Sequence, residues 1–123
     1  MADNDWSAVF YVDEKGNEPV REFLSSLDLK TQTRFDWSIE QLKIRNVTAR
    51  DPLVRHLEGK IWELREESST NIYRLLYFFF TGKQIVFVHG FAKKKQKTTR
   101  SEIETALVRM KDFINRHKKP IRR

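Results

Sequence analysis

The chain has 123 residues, 39% of them apolar, with fifteen aromatic residues, no cysteine and a formal net charge of +7. Length and composition fit one globular domain (residues 1–123) with a real core and exclude a disordered chain. Disulfide and thiolate chemistry are excluded, and no apolar run reaches the length that spans a bilayer. The N-terminus, MADNDWSAVF, is acidic and lacks the basic-then-apolar pattern of a signal peptide, so a cytoplasmic protein is expected.

The placement of the charge says more than its sum. From Lys93 to Arg123 there are twelve Lys or Arg against Glu102, Glu104 and Asp112, a net of +9, while residues 1–92 carry a net of −2. Such asymmetry points to an anionic partner, nucleic acid first, against the plainer reading of a solvated helix with a basic tail at 118–123.

In chain order, Trp6 to Val12 predicts a strand and DEKGNE a turn, with Pro19 suited to the first turn of a helix that places Val20, Phe23, Leu24 and Leu27 on one face. Asp28 is a candidate cap for a second helix with Phe35, Ile39 and Leu42 on its buried stripe; Trp37 and Ile44 fall off that stripe. Val47 to Arg55 reads as a connection. Three strands follow: KIWELRE from Lys60, NIYRLLYFFFT from Asn71 and, after a Gly82-Lys83 turn, QIVFVHGFA. Thr99-Arg100-Ser101-Glu102 fits a capping box, and Ile103, Ala106, Leu107, Met110, Phe113 and Ile114 form the apolar stripe of a last helix. The order is β-α-α-β-β-β-α, an α+β fold.

Several polar residues sit where apolar ones are expected. Arg74 interrupts IYRLLYFFF; it cannot lose its charge, so it must be ion-paired, with Glu63 or Glu66 on the neighbouring strand, or reach a wet cleft. Alternation puts Ile61, Glu63 and Arg65 on one face of their strand, and Tyr73, Leu75, Tyr77 and Phe79 on the face opposite Arg74. His89 interrupts an Ile, Val and Phe strand, as a neutral core histidine or as a proton carrier. Lys93, Lys94, Lys95 and Lys97 stand between a strand end and a helix start, which suits phosphate. Tyr73 and Phe91 are candidate stacking platforms for unpaired bases, with core packing as the alternative.

No P-loop, GxGxxG, nucleophile elbow or HExxH motif occurs, and His56 and His117 are scattered, so neither a cofactor nor a metal is expected. Cutting RNA needs neither, because the 2′-hydroxyl is an internal nucleophile. The protein has only to align it, move protons and stabilise phosphorane charge.

KIWELRE, IYRLLYFFF and IVFVHGFAKKKQKT followed by an amphipathic helix resemble the phage Gp49-like HigB toxins of the RelE/ParE superfamily, over roughly residues 18–116. The resemblance implies a RelE-like fold, with two N-terminal helices on a twisted, mainly antiparallel four-stranded sheet. It implies a toxin of a type II toxin–antitoxin system that cuts mRNA in the ribosomal A site without a metal. It also implies a helix-turn-helix antitoxin of the HigA type as partner. On it, Arg74 is expected at the scissile phosphate, Arg65 matches the arginine of ELR, Lys93 and Lys94 the basic pair, and Lys97 the lysine of QKT. Glu63 and Ile61 stand where related enzymes carry lysines, and no tyrosine follows the basic loop. This leaves His89 and Glu63 as candidates for proton transfer. The alternatives are a basic module that binds RNA or ribosome without cutting it, and a protein that only docks a regulatory partner.

Overall fold

The computed structural model describes residues 6–94 and 97–118; Lys95 and residues 119–123 of the expected basic tail lie outside them. The elements run β1 (Ser7–Phe10), α1 (Pro19–Ser25), α2 (Leu29–Arg45), β2 (Val54–Glu58), β3 (Ile61–Glu67), β4 (Ile72–Phe80), β5 (Gln84–Lys93) and α3 (Arg100–Arg116). The five strands form one sheet in the order β1-β5-β4-β3-β2. All neighbours are antiparallel except β1 and β5, which run parallel.

The α+β class and the order of helices and central strands are as expected; the sheet gains a fifth strand. Val54–Glu58, whose first two residues are expected to end a connection, turns at Gly59-Lys60 and pairs with β3, Val54 opposite Leu64 and Glu58 opposite Ile61. Gly59 takes a φ of +55° in this turn, a conformation that disfavours other side chains.

The helix signals hold for α1 and α2. Pro19 opens α1, and the Asp28 carboxylate accepts the Thr31 N–H at 2.8 Å, capping α2. Two apolar layers sandwich the sheet. Val20 of α1 and Phe35, Ile39 and Leu42 of α2 pack with Leu64, Leu75, Tyr77, Ile85 and Phe87 on one face. Ala106 and Phe113 of α3 pack with Ile61, Leu76, Phe78, Val86 and Val88 on the other. The far end of α3 is tied down by the Tyr11 hydroxyl, which donates to Asp112 at 2.6 Å.

Two local features position the rest. The β4–β5 register shifts by one residue: Leu76 faces His89 but Tyr77 faces Phe87, leaving Val88 as the extra residue of a bulge in β5. The Val88 carbonyl accepts from Arg109 of α3 at 2.9 Å. At Gly90, α1 comes so close that a Cβ would stand 2.5 Å from Phe23 Cδ2 and 3.0 Å from Leu75 Cδ2. Gly90→Ala is therefore expected to push Phe23 off the sheet and cost about 1–3 kcal/mol, read as a lower urea midpoint with an unchanged slope.

Candidate functional site

The strand register places the singled-out residues in rows on the α3 face. Arg65 of β3 lies opposite Arg74 of β4, which lies opposite Phe91 of β5. One row inward stand Glu63, Leu76 and His89; one row outward stand Glu67, Ile72 and Lys93. The register thus puts Arg65 and Arg74 on one face, which alternation within each strand leaves open.

Two guanidinium groups directly across a sheet repel each other. Carboxylates from the adjoining rows resolve this. Glu63 Oε1 is 3.0 Å from Arg74 Nη1, and Glu63 Oε2 is 3.9 Å from Arg65 Nε. Arg65 Nη2 reaches Glu67 at 3.2 Å. Thr98 closes the group: its hydroxyl accepts from Arg74 Nη1 at 2.6 Å and donates to Glu63 Oε1. Arg74 and Glu63 end up 1% and 0% exposed, beneath Thr98. Of the two sequence readings of Arg74, the structure displays the ion pair with Glu63. Taken together, two arginines and two glutamates make this floor neutral.

The excess positive charge sits beside it. Lys93 ends β5, and Lys94 and Lys97 are exposed. Lys93 is held by Glu102 of α3 at 3.1 Å and by the Thr99 hydroxyl at 3.3 Å. The expected capping box is thereby corrected. Thr99 is the N-cap of α3, yet it makes no side-chain cap bond, because its hydroxyl serves Lys93 and the Glu102 carboxylate turns to β5 instead.

His89 completes the Glu102 cluster. Its Nε2 lies 2.6 Å from Glu102 Oε1, and its Nδ1 lies 3.3 Å from Arg109 Nη1. An arginine can only donate, so Nδ1 accepts and Nε2–H donates to the carboxylate. Burial pushes the imidazole below its ordinary pKa; the Glu102 hydrogen bond opposes this and the Arg109 charge adds to it. His89 is therefore neutral, with both nitrogens engaged. Burial pushes the Glu102 carboxyl up, but His89 and Lys93 outweigh it and the group ends below its usual range.

Neither aromatic candidate offers an open ring face at this site. Phe91 shares the Arg74 row but is 8% exposed under α3 and stacks on His89 with ring centroids 5.2 Å apart. Tyr73 points to the opposite face and packs with the α1–α2 layer. Of the two sequence readings of these rings, the structure displays core packing, complete for Phe91 and partial for Tyr73. Lys95 is outside the described residues. Three participants were not singled out in the sequence: Thr98, Glu102 as a tether rather than a cap, and Arg109. Thr98 had a signal in the QKT triplet.

The sequence patterns that build these rows also relate the chain to known proteins. The family described as phage derived protein Gp49-like matches residues 22–111, which takes in α2, all of β2 to β5 and most of α3. A probable endoribonuclease HigB1 of Mycobacterium tuberculosis, from strain CDC 1551 / Oshkosh and again from strain ATCC 25618 / H37Rv, is 40% identical over 58 residues. That match covers 47% of this chain and 46% of the relative, so the chain spans about half the length of the curated relatives it matches. The family match runs over well more than half of the chain and includes every row described above: the chain belongs to the phage-derived Gp49-like family.

Proposed function

We propose that this protein is the toxin of a toxin–antitoxin pair and an endoribonuclease that cuts mRNA held on the ribosome, without a metal, by attack of the 2′-hydroxyl. The observation that carries the reading is the row of Arg65 and Arg74, cross-linked through Glu63, opening beside the lysines at the end of β5. A transition state that spreads negative charge over a phosphorane needs oriented cations more than it needs a nucleophile from the protein. The name of the similar HigB1 proteins, probable endoribonuclease, supports the cutting of RNA.

The roles follow from exposure. Lys94 and Lys97 are exposed, Lys93 and Arg65 partly so, and these four contact the RNA. Arg74 fixes Glu63 and Thr98, and through them the direction of Arg65. His89 aims Lys93 by way of Glu102, and Glu63 and His89 are the candidates for proton transfer. An antitoxin of the HigA type is the partner expected to silence the protein. A second reading has its own observation: Arg74 and Glu63 are covered, so the accessible charge is mostly lysine, which suits a module that binds RNA or ribosome without cutting it.

The deciding assay is cleavage of an mRNA programmed on purified ribosomes, with EDTA present, beside the same RNA free in solution. Cleavage only on ribosomes is expected. Binding to ribosomes with no cut at any time point would replace the nuclease with the binding module, and a cut in free RNA alone would remove the ribosome.

A further inference from the structure

A second feature opens on the other side of Arg65. Strand β2 begins at Val54, opposite Leu64, so β3 has no partner on that edge from Arg65 onward. Helix α2 passes over the gap. Between them lies a cavity of about 290 Å³ whose lining includes Trp37, Gln41, Arg45, Leu53, Arg65 and Glu66. Trp37 is 63% exposed, although tryptophan is among the side chains that folding most favours burying. Arg45 makes no ion pair with a carboxylate among the described residues. Helical spacing lines Lys30, Arg34, Trp37, Gln41 and Arg45 along one side of α2.

We infer that this cavity is a subsite for one unpaired nucleobase of the RNA, next to the bond that is cut; the inference rests on the RNA reading above. An exposed indole flanked by guanidinium groups is the arrangement that holds single strands: the ring stacks on a base while the cations follow the backbone. Gln41 offers both a donor and an acceptor to a base edge. Arg65 is common to the cavity and to the Arg65–Arg74 row, so one strand of RNA can lie across both without leaving the cationic surface. The competing occupant is an acidic protein segment. It is disfavoured because a carboxylate entering the cavity would face Glu66, fixed there by the Ser38 hydroxyl and by Arg34 at 3.6 Å, whereas a nucleobase brings no charge into it.

The test is cleavage kinetics on ribosome-bound mRNA for wild type, Trp37→Ala and Trp37→Phe, each with an intact message and with messages abasic at one nucleotide flanking the cut. Trp37→Ala is expected to lose about tenfold or more in kcat/KM, the size of one lost base stack, and Trp37→Phe to recover most of it. One abasic position is expected to cost wild type the same factor and to cost Trp37→Ala nothing further. Because the side chain is exposed, the thermal transition of Trp37→Ala is expected to stay near that of wild type, which separates a lost subsite from a lost fold. Wild-type kinetics in Trp37→Ala, or losses that multiply in the double perturbation, overturn the subsite and leave the nuclease reading standing. Loss of binding to an acidic partner protein with cleavage unchanged also overturns it, in favour of a docking surface. No cleavage by wild type removes the nuclease reading and the subsite together.

Discussion

Glu63→Ala is expected to lower the stability of the fold by about 3–5 kcal/mol, the cost of breaking a buried ion pair from one side. The substitution leaves the Arg74 guanidinium, 1% exposed, without its carboxylate and directly across from Arg65. It also takes away the acceptor of the Thr98 hydroxyl. A loss of that size is a large part of the roughly 5–15 kcal/mol that holds a typical domain together. Urea unfolding measures it. The informative companion is the double variant Glu63→Leu, Arg74→Met, which removes both charges and keeps the volume. It is expected to regain most of the lost stability, because the cost lies in a buried guanidinium that has lost the Glu63 charge rather than in the missing pair itself. A double variant as unstable as Glu63→Ala would show that Arg74 contributes through other contacts.

The second large effect is on activity. Arg65→Ala is expected to reduce kcat on ribosome-bound mRNA by about 10²–10³, the range for removing one oriented donor from a developing oxyanion. Its effect on stability is expected to be smaller than that of Glu63→Ala but measurable: the side chain is only 15% exposed and pairs with Glu63 and Glu67, while its removal relieves the repulsion across to Arg74. Arg65→Lys recovers only part of the rate, because an ammonium lacks the planar fork. The lysines behave differently. Exchanging Lys93 and Lys94 for alanine is expected to weaken RNA binding and to flatten the dependence of log affinity on log salt by about 1.4, the value for two contacts to a single strand. Equal salt slopes for the double variant and wild type would place the RNA elsewhere.

Much of this architecture is legible in the sequence because it is local. Pro19, Asp28 and the Gly82-Lys83 turn act within a few residues, and the structure uses each one there. Alternation also sorts the residues of each strand by face, although that Arg65 and Arg74 share one face is decided by the β3–β4 register. What escapes is decided at a distance. Strand β2 reads VRHLE, short and charged, as an edge strand that avoids pairing with other chains often is, and nothing in it marks a partner. Thr99 and Glu102 have the spacing of a capping box, yet His89 and Lys93, brought in by β5, compete for the same groups and win. Phe91 stands in the same row as Arg74, and only the position of α3 decides that it is buried rather than open to a base. The exposure of Trp37 was visible as a residue off its stripe; the cavity beside it depends on where β2 stops.

The extra residue at Val88 gives β5 two phases. In its first half the even-numbered Val86 faces α3, while the odd-numbered Ile85 and Phe87 face α1 and α2. In its second half the parity is reversed: odd-numbered His89, Phe91 and Lys93 lie on the α3 side, and even-numbered Gly90 meets Phe23. The strand is thus two independent alphabets joined at one residue. The first half spells core on both faces and tolerates little change. The second half ends in the lysines, and these can be exchanged without altering the side on which the first half buries its own. A drift in charge at the lysine end leaves the hydrophobic register of the sheet intact, so specificity can diverge on a scaffold that stays the same.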